Sequence, residues 1–253
     1  SVADISANPR ILPEMTFSPD ARQQQMLLDL KPEQPPTLDN FVVGANVELI
    51  ARLRGLGNTG SFESIYLWGD PGCGKSHLLA ASAANAHKQR PVVLLPAAGV
   101  GAELPLAPGC LLVIDDIQQL GAEAQVALFR AFNATRFLGL ALLLAGNQPP
   151  LRLGLREDLR TRIGQTLIYE IQSLSDEEKS AALRRHAIER GMLMDPAVVH
   201  YLLRHGRRDL PSLMAMLNNL DRASLEQKRP PTLPLLRELM QTTLDLDKDL
   251  DPT

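Results

Sequence analysis

The stretch "GDPGCGKS", residues 69–76, constrains this 253-residue chain more than any other. It fits G-x-x-x-x-G-K-[S/T], and its flanks are those the pattern requires. The apolar, β-forming run "SIYLW" (64–68) precedes it and the helix-like "KSHLLAASAANAHKQ" follows. Gly72 and Gly74 let the backbone curl so that successive N–H groups face one anion. Lys75 supplies a point charge to outer phosphates, Ser76 a hydroxyl for Mg2+, and the helix N-terminus its positive dipole. Gly69, Pro71, Cys73 and the following His77 join them as candidate nucleotide contacts.

A second motif agrees independently. In "LLVIDD" (111–116) four apolar residues predict a buried strand, and two carboxylates emerge at its C-terminal end, where ligands bind in open α/β sheets. Paired carboxylates there are costly unless a cation or a water uses them. Asp115 is the candidate for the Mg2+ shell, through water, because Mg2+ dehydrates reluctantly. Asp116 is placed to orient or deprotonate a hydrolytic water. The expected cofactor is therefore ADP or ATP with Mg2+.

Near-continuous apolar runs at 64–68, 91–96, 110–116, 140–146 and 165–171 alternate with helix-like stretches. That alternation predicts an α/β domain over 37–173: a parallel five-stranded sheet between helices. After Ser173 the period becomes helical. "SDEEKSAALRRHAIERG" opens with a capping box, Ser175 and Glu178, and "DPAVVHYLLRHG" with Asp195 as cap and Pro196 behind it. Residues 174–242 are expected to form a small all-helical lid. Residues 1–36 read as a flexible lead and the acidic 243–253 as a disordered tail. The lead lacks the basic start and long apolar core of a secretory signal. With two cysteines only, Cys73 and Cys110, the expected compartment is a reducing cytoplasm. A net charge of −3 argues against an electrostatic footprint for nucleic acid, so DNA association is expected to be indirect.

Five segments, in order, resemble the DnaA family within the AAA+ ATPases. "TLDNFVVGANVELIARL" (37–53) is similar to the family's adenine-side segment, which implies base contacts from Phe41, Val42, Gly44 and Asn46. "LLVIDDIQQL" resembles its second motif, with Asp-Asp where most AAA+ proteins carry Asp-Glu. "AGNQPP" (145–150) resembles the first sensor, making Asn147 the polar residue near the γ-phosphate. "LREDLRTRIGQTLIYEI" (155–171) is similar to the finger segment, with Arg162 in the finger position. "GRRDLPSLMAML" resembles the second sensor, with Arg208 reaching back to the phosphates and Arg207 as its rival. The resemblance spans residues 37–242. Within the family, "YLWGDPGCGKSHLL" and "NNLDRAS" look closest to the Hda-type regulators, ATPase cores without the initiator's helix-turn-helix domain.

Hda-type chains are expected to carry a sliding-clamp-binding peptide of the form Gln-Leu-x-Leu-x-Leu. "QMLLDL" (25–30) is similar to it, through Gln25, Met26, Leu28 and Leu30, with Gln24 as an alternative start. A glutamine amide hydrogen-bonds at a pocket rim while alternate apolar side chains enter subsites. The resemblance thus implies a negative regulator of replication initiation. Bound to the DNA-loaded clamp, it stimulates hydrolysis of DnaA-bound ATP through an arginine finger in trans, with weak turnover of its own. The rivals are a helicase loader and a non-catalytic nucleotide-dependent adaptor. Both a monomer and a homodimer are compatible with the sequence.

Overall fold

The computed structural model describes the backbone of residues 35–249 and the side chains of residues 35–241. The first helix, α1 (Val47–Gly55), leads into β1 (Ser64–Trp68) and α2 (Lys75–Ala86). Next come β2 (Val92–Pro96), β3 (Leu111–Asp115), α3 (Ala122–Leu138), β4 (Ala141–Gly146), α4 (Glu157–Gly164) and β5 (Leu167–Glu170). The five strands form one sheet in the order β2-β3-β4-β1-β5, and every neighbouring pair is parallel.

The apolar runs are continuous because both faces of the central strands are covered. In β4, Ala141, Leu143 and Ala145 pack with Leu49, Leu53, Leu78 and Leu79 of α1 and α2. Leu142 and Leu144 point the other way, toward Leu128 and Phe132 of α3 and Leu159 and Ile163 of α4. A strand with period-two side chains and two buried faces has no polar positions to alternate. The edge strands depart from that expectation. Leu167 and Ile168 of β5 are 37% and 41% exposed, and Leu94 of β2 is 47% exposed. An edge strand has a neighbour on one side only, so its apolar side chains are incompletely covered.

The helical lobe comprises α5 (Asp176–Glu189), α6 (Pro196–His205), α7 (Leu210–Gln227) and α8 (Leu233–Asp249) around its own core of Leu183, Val199, Leu202, Leu217 and Leu236. The expected caps are present. Ser175 Oγ accepts from the Glu178 amide and Glu178 Oε2 from the Ser175 amide, while Asp195 caps α6 from the Ala197 amide. α8 continues through residue 249, into the stretch expected as an acidic tail. No glycine or proline interrupts the chain between Pro234, in the first turn, and Pro252, so nothing local stops the helix. Residues 25–30 lie outside the described residues. No described helix is long and apolar enough to cross a membrane.

At the N-terminal edge of the sheet sits a feature the sequence did not announce. Arg90, 4% exposed, donates to the carbonyls of Leu56, Asn58, Ser61, Gly109, Cys110 and Gly139. Those carbonyls belong to the segments that enter β1, β3 and β4, so one guanidinium ties three strand entrances together. Burial lowers its pKa, but the backbone oxygens supply the solvation that water no longer can. Arg90→Met should cost about 3–5 kcal/mol by urea unfolding, because it strands the carbonyls in a dry site. Arg90→Lys, with fewer donors, should recover only part of that loss.

Candidate functional site

The register of the sheet brings the motifs together. Trp68 at the end of β1 lies level with Gly146 at the end of β4, and Ile114 of β3 with Leu144. The phosphate loop, the Asp-Asp pair and Asn147 therefore leave the same edge. The loop opens α2, whose first residue is Lys75, and its N-cap Gly74 has φ 101, a conformation that excludes side-chain-bearing residues. Gly72, at φ 79, is needed twice over: a Cβ there would also lie 2.8 Å from Asp209 Cβ.

Ser76 Oγ donates to Asp115 Oδ2 at 2.6 Å, so the helix after the loop is tied directly to the end of β3. Lys75 Nζ donates to the carbonyls of Gly69 at 2.7 Å and Asp70 at 2.9 Å, inside the curl of the loop. The Cys73 thiol, 3.8 Å from that amine, has its pKa raised by burial. Asp116 follows in the left-handed region, φ 53; its amide donates to Asp115 Oδ1 and its own Oδ1 accepts from Gln118 Nε2, both at 2.9 Å. Its other oxygen makes no hydrogen bond among the described residues. Asn147 is exposed beyond β4.

These residues fit a nucleotide with Mg2+. The loop offers N–H groups on a backbone only glycine can adopt, an ammonium held nearby, and a hydroxyl beside a carboxylate. That pair, with phosphate oxygens and water, suits a hard octahedral cation. No cluster of three His, Cys, Asp or Glu among the described residues competes for a metal.

The adenine-side segment divides by role. The half-buried Phe41 ring packs beside Gly74, so that a Cβ there would sit 2.8 Å from it. The ring is tilted on His77 with centroids 5.6 Å apart. His77 Nε2 is 3.0 Å from the Thr37 carbonyl. Val42 is half-buried, and Gly44 faces Leu174 and Glu178 of the lid. Asn46 is anchored to backbone groups of its own segment and of the chain beyond β5. It is 5% exposed, and its Nδ2 donates to the carbonyls of Val43 and Gln172, each at 3.1 Å. Its Oδ1 accepts from the Gln172 amide at 2.9 Å. Both amide protons are used, so Asn46 clasps its segment to the chain that leaves β5 for the lid.

From the lid, Asp209 caps α7 through the Ser212 amide at 2.9 Å and rests against Gly72. Burial works against its charge, yet the Ser212 hydrogen bonds outweigh burial and hold the carboxyl below its ordinary range. Arg207 pairs with Asp209 at 3.7 Å. Arg208 is exposed and makes no hydrogen bond or ion pair among the described residues, which leaves it the more available of the two rivals.

Arg162 lies elsewhere. In the last turn of α4 it donates to Asn133 Oδ1 at 2.9 Å and lies 5.9 Å over the Phe129 ring of α3. It lines a groove with Phe62, Glu63 and Ser64, where β1 begins, whereas the phosphate loop follows the other end of that strand.

With that geometry in view, residues 176–240 match the family model described as the Hda lid domain. The helical lobe of this chain is thus of the Hda lid type. Domain III of DnaA from Thermotoga maritima superposes with a TM-score of 0.68 at 18% identity, covering 84% of this chain and 98% of that one. AMPPCP-bound DnaA from Aquifex aeolicus gives 0.63 at 22% identity, with 78% and 68% covered. A RuvB variant from Thermotoga maritima gives 0.65 at 20% identity, with 85% and 73% covered. At these identities the likeness shows a shared fold alone, and the Hda match rests on the lid.

Asn46→Ala should lower stability by about 2–4 kcal/mol, since it removes three side-chain hydrogen bonds and leaves the Gln172 amide and carbonyl without the Asn46 partner. Thermal unfolding checks it; an unchanged midpoint would remove the clasp from the account.

Proposed function

We propose that this chain regulates replication initiation as a nucleotide-loaded partner of DnaA. Residues 25–30 tether it to the DNA-loaded sliding clamp, and Arg162 enters the nucleotide site of ATP-bound DnaA to stimulate hydrolysis there. The observation that carries this reading is the placement of Arg162. It sits beside the start of β1, remote from its own phosphate loop, on a chain whose lid is of the Hda type. A cation in that position serves a neighbour rather than its own phosphates. A finger in trans contributes about 10³–10⁵ in rate in P-loop systems, by neutralising charge that develops on the transferred phosphoryl group.

The chain's own site has a different task. Gly69, Pro71, Gly72, Cys73 and Gly74 present the loop backbone to the phosphates of ADP or ATP, and Lys75 neutralises charge there. Ser76 and Asp115 would hold Mg2+, which supplies charge neutralisation at the phosphates. Phe41, Val42, Gly44 and His77 line the base side, with Asn46 holding that segment in place. Arg208 approaches from the lid, and Asn147 and Asp116 flank the γ-phosphate end. Bound nucleotide thus joins lid to core and sets the angle at which the Arg162 face is offered.

Arg162→Ala should leave nucleotide and clamp binding unchanged while reducing stimulated hydrolysis by DnaA about 10³-fold or more. A phosphate-release assay with DNA-loaded clamp reads this directly, and full stimulation by the variant would sink the finger assignment. Leu28→Ala with Leu30→Ala should weaken clamp capture by about 10²-fold or more, given roughly 1.5–3 kcal/mol per buried leucine. Retention on immobilised replicative helicase instead of clamp would favour a helicase loader.

A further inference from the structure

One buried polar atom beside the site has no partner. Gln118 donates through Nε2 to Asp116 Oδ1, but its own Oε1 is buried and accepts nothing. Among the described residues only Ser82 Oγ shares that condition. A buried amide oxygen is costly to leave unpaired and asks for a donor within reach.

A candidate donor lies on the other side of Gly146. A Cβ at that position would lie 3.2 Å from Gln118 Oε1 and would collide with the Tyr66 hydroxyl, so the two side chains converge on one glycine at the end of β4. Tyr66 is wholly buried in β1, and burial drives its phenol pKa well above the ordinary value, keeping the proton in place. That hydroxyl donates to the Gln148 carbonyl at 2.6 Å, one residue beyond Asn147. One O–H therefore lies between two acceptors: a backbone carbonyl in the Asn147 loop and the amide that holds Asp116.

We propose that Tyr66 and Gln118 are positioning residues that couple the Asp116 carboxylate to the Asn147 loop, so that the two respond together to a γ-phosphate. While the hydroxyl donates to Gln148, the loop is pinned and Gln118 Oε1 stays unpaired. When the loop moves toward an anion, the same proton turns to Gln118 Oε1 and fixes the amide against Asp116. No bond is made or broken beyond these hydrogen bonds. The relay requires a second arrangement besides the one seen, because coupling between two positions needs an element with two states. Glycine is the only residue type that leaves room for both at position 146. This inference rests on the nucleotide-site reading above.

The test compares ATP and ADP affinities of the full chain by fluorescence of labelled nucleotides, for the wild type, Tyr66→Phe, Gln118→Met and the double variant. Each single change should shift the ATP-to-ADP affinity ratio about fivefold or more, with ADP affinity held within about twofold. The double variant should shift it no further than one single, because both act on one relay. A merely structural role would move both affinities together. Parallel losses of ATP and ADP binding, additive shifts, or a wild type that does not discriminate the two nucleotides would overturn the proposal. Thermal unfolding accompanies each variant, and if Tyr66→Phe fails to fold, the half-exposed Gln118 carries the test through Gln118→Met and Gln118→Glu. Lys75→Ala separates the two readings: if it leaves both affinities unchanged, the nucleotide site itself is misplaced and the relay falls with it.

Discussion

The parallel pairing of β1 with β4, and of β4 with β3, is the constraint on which the rest depends. It places the ends of three strands at one edge, and the phosphate loop, the Asp-Asp pair and Asn147 all leave from that edge. Parallel strands need crossovers, and the crossovers become the helices that bury both faces. Arg90 does the complementary work at the opposite edge, where its guanidinium binds the carbonyls that enter β1, β3 and β4. With the entrances held, the short strands deliver their far ends in a fixed relation. The bond from Ser76 to Asp115 then joins the first crossover helix to β3 within the site itself.

The lid is connected to this frame at a few identifiable points. Asn46 clasps the segment before α1 to Gln172, Gly44 meets Glu178, and Asp209 rests on Gly72. Two of these contacts use glycines, where only the missing side chain allows the approach. The lid's angle is thereby referred to the phosphate loop and to the base-side segment together. These contacts connect the phosphate loop and the base-side segment directly to the lid. Arg162 faces away from this junction, on the groove between α3, α4 and the start of β1. The chain thus has one face that gathers the candidate nucleotide groups and another on which the exposed Arg162 lies.

Much of this is legible in the sequence. The five strands, the two flanking layers and the caps at Ser175 and Asp195 follow from local pattern, because periodicity and capping are properties of neighbouring residues. The phosphate loop is equally plain, since glycine spacing directly encodes a backbone shape. What stays hidden are long-range pairings by ordinary residues. Arg90 reads as one more surface arginine, Asn46 as a base contact, and Gln118 as a polar residue in a turn. Tyr66 carries a faint signal, a phenol in an otherwise aliphatic strand, which asks for a hydrogen-bond partner. The course of α8 beyond residue 242 escapes a reading in which acidic composition outweighs the absence of any helix breaker.

The sequence alone determined the fold class, the phosphate loop, the order of the motifs and the helical lid. Each rests on spacing along the chain, and short-range spacing dictates backbone conformation. Only the tertiary structure decided that Asn46 is a clasp, that Arg207 is held by Asp209 while Arg208 stays uncommitted, and that Arg162 stands apart from its own phosphate loop. It likewise decided that Tyr66 and Gln118 meet at Gly146. Those outcomes depend on which strand ends lie side by side, and residue order does not specify that until the sheet has closed.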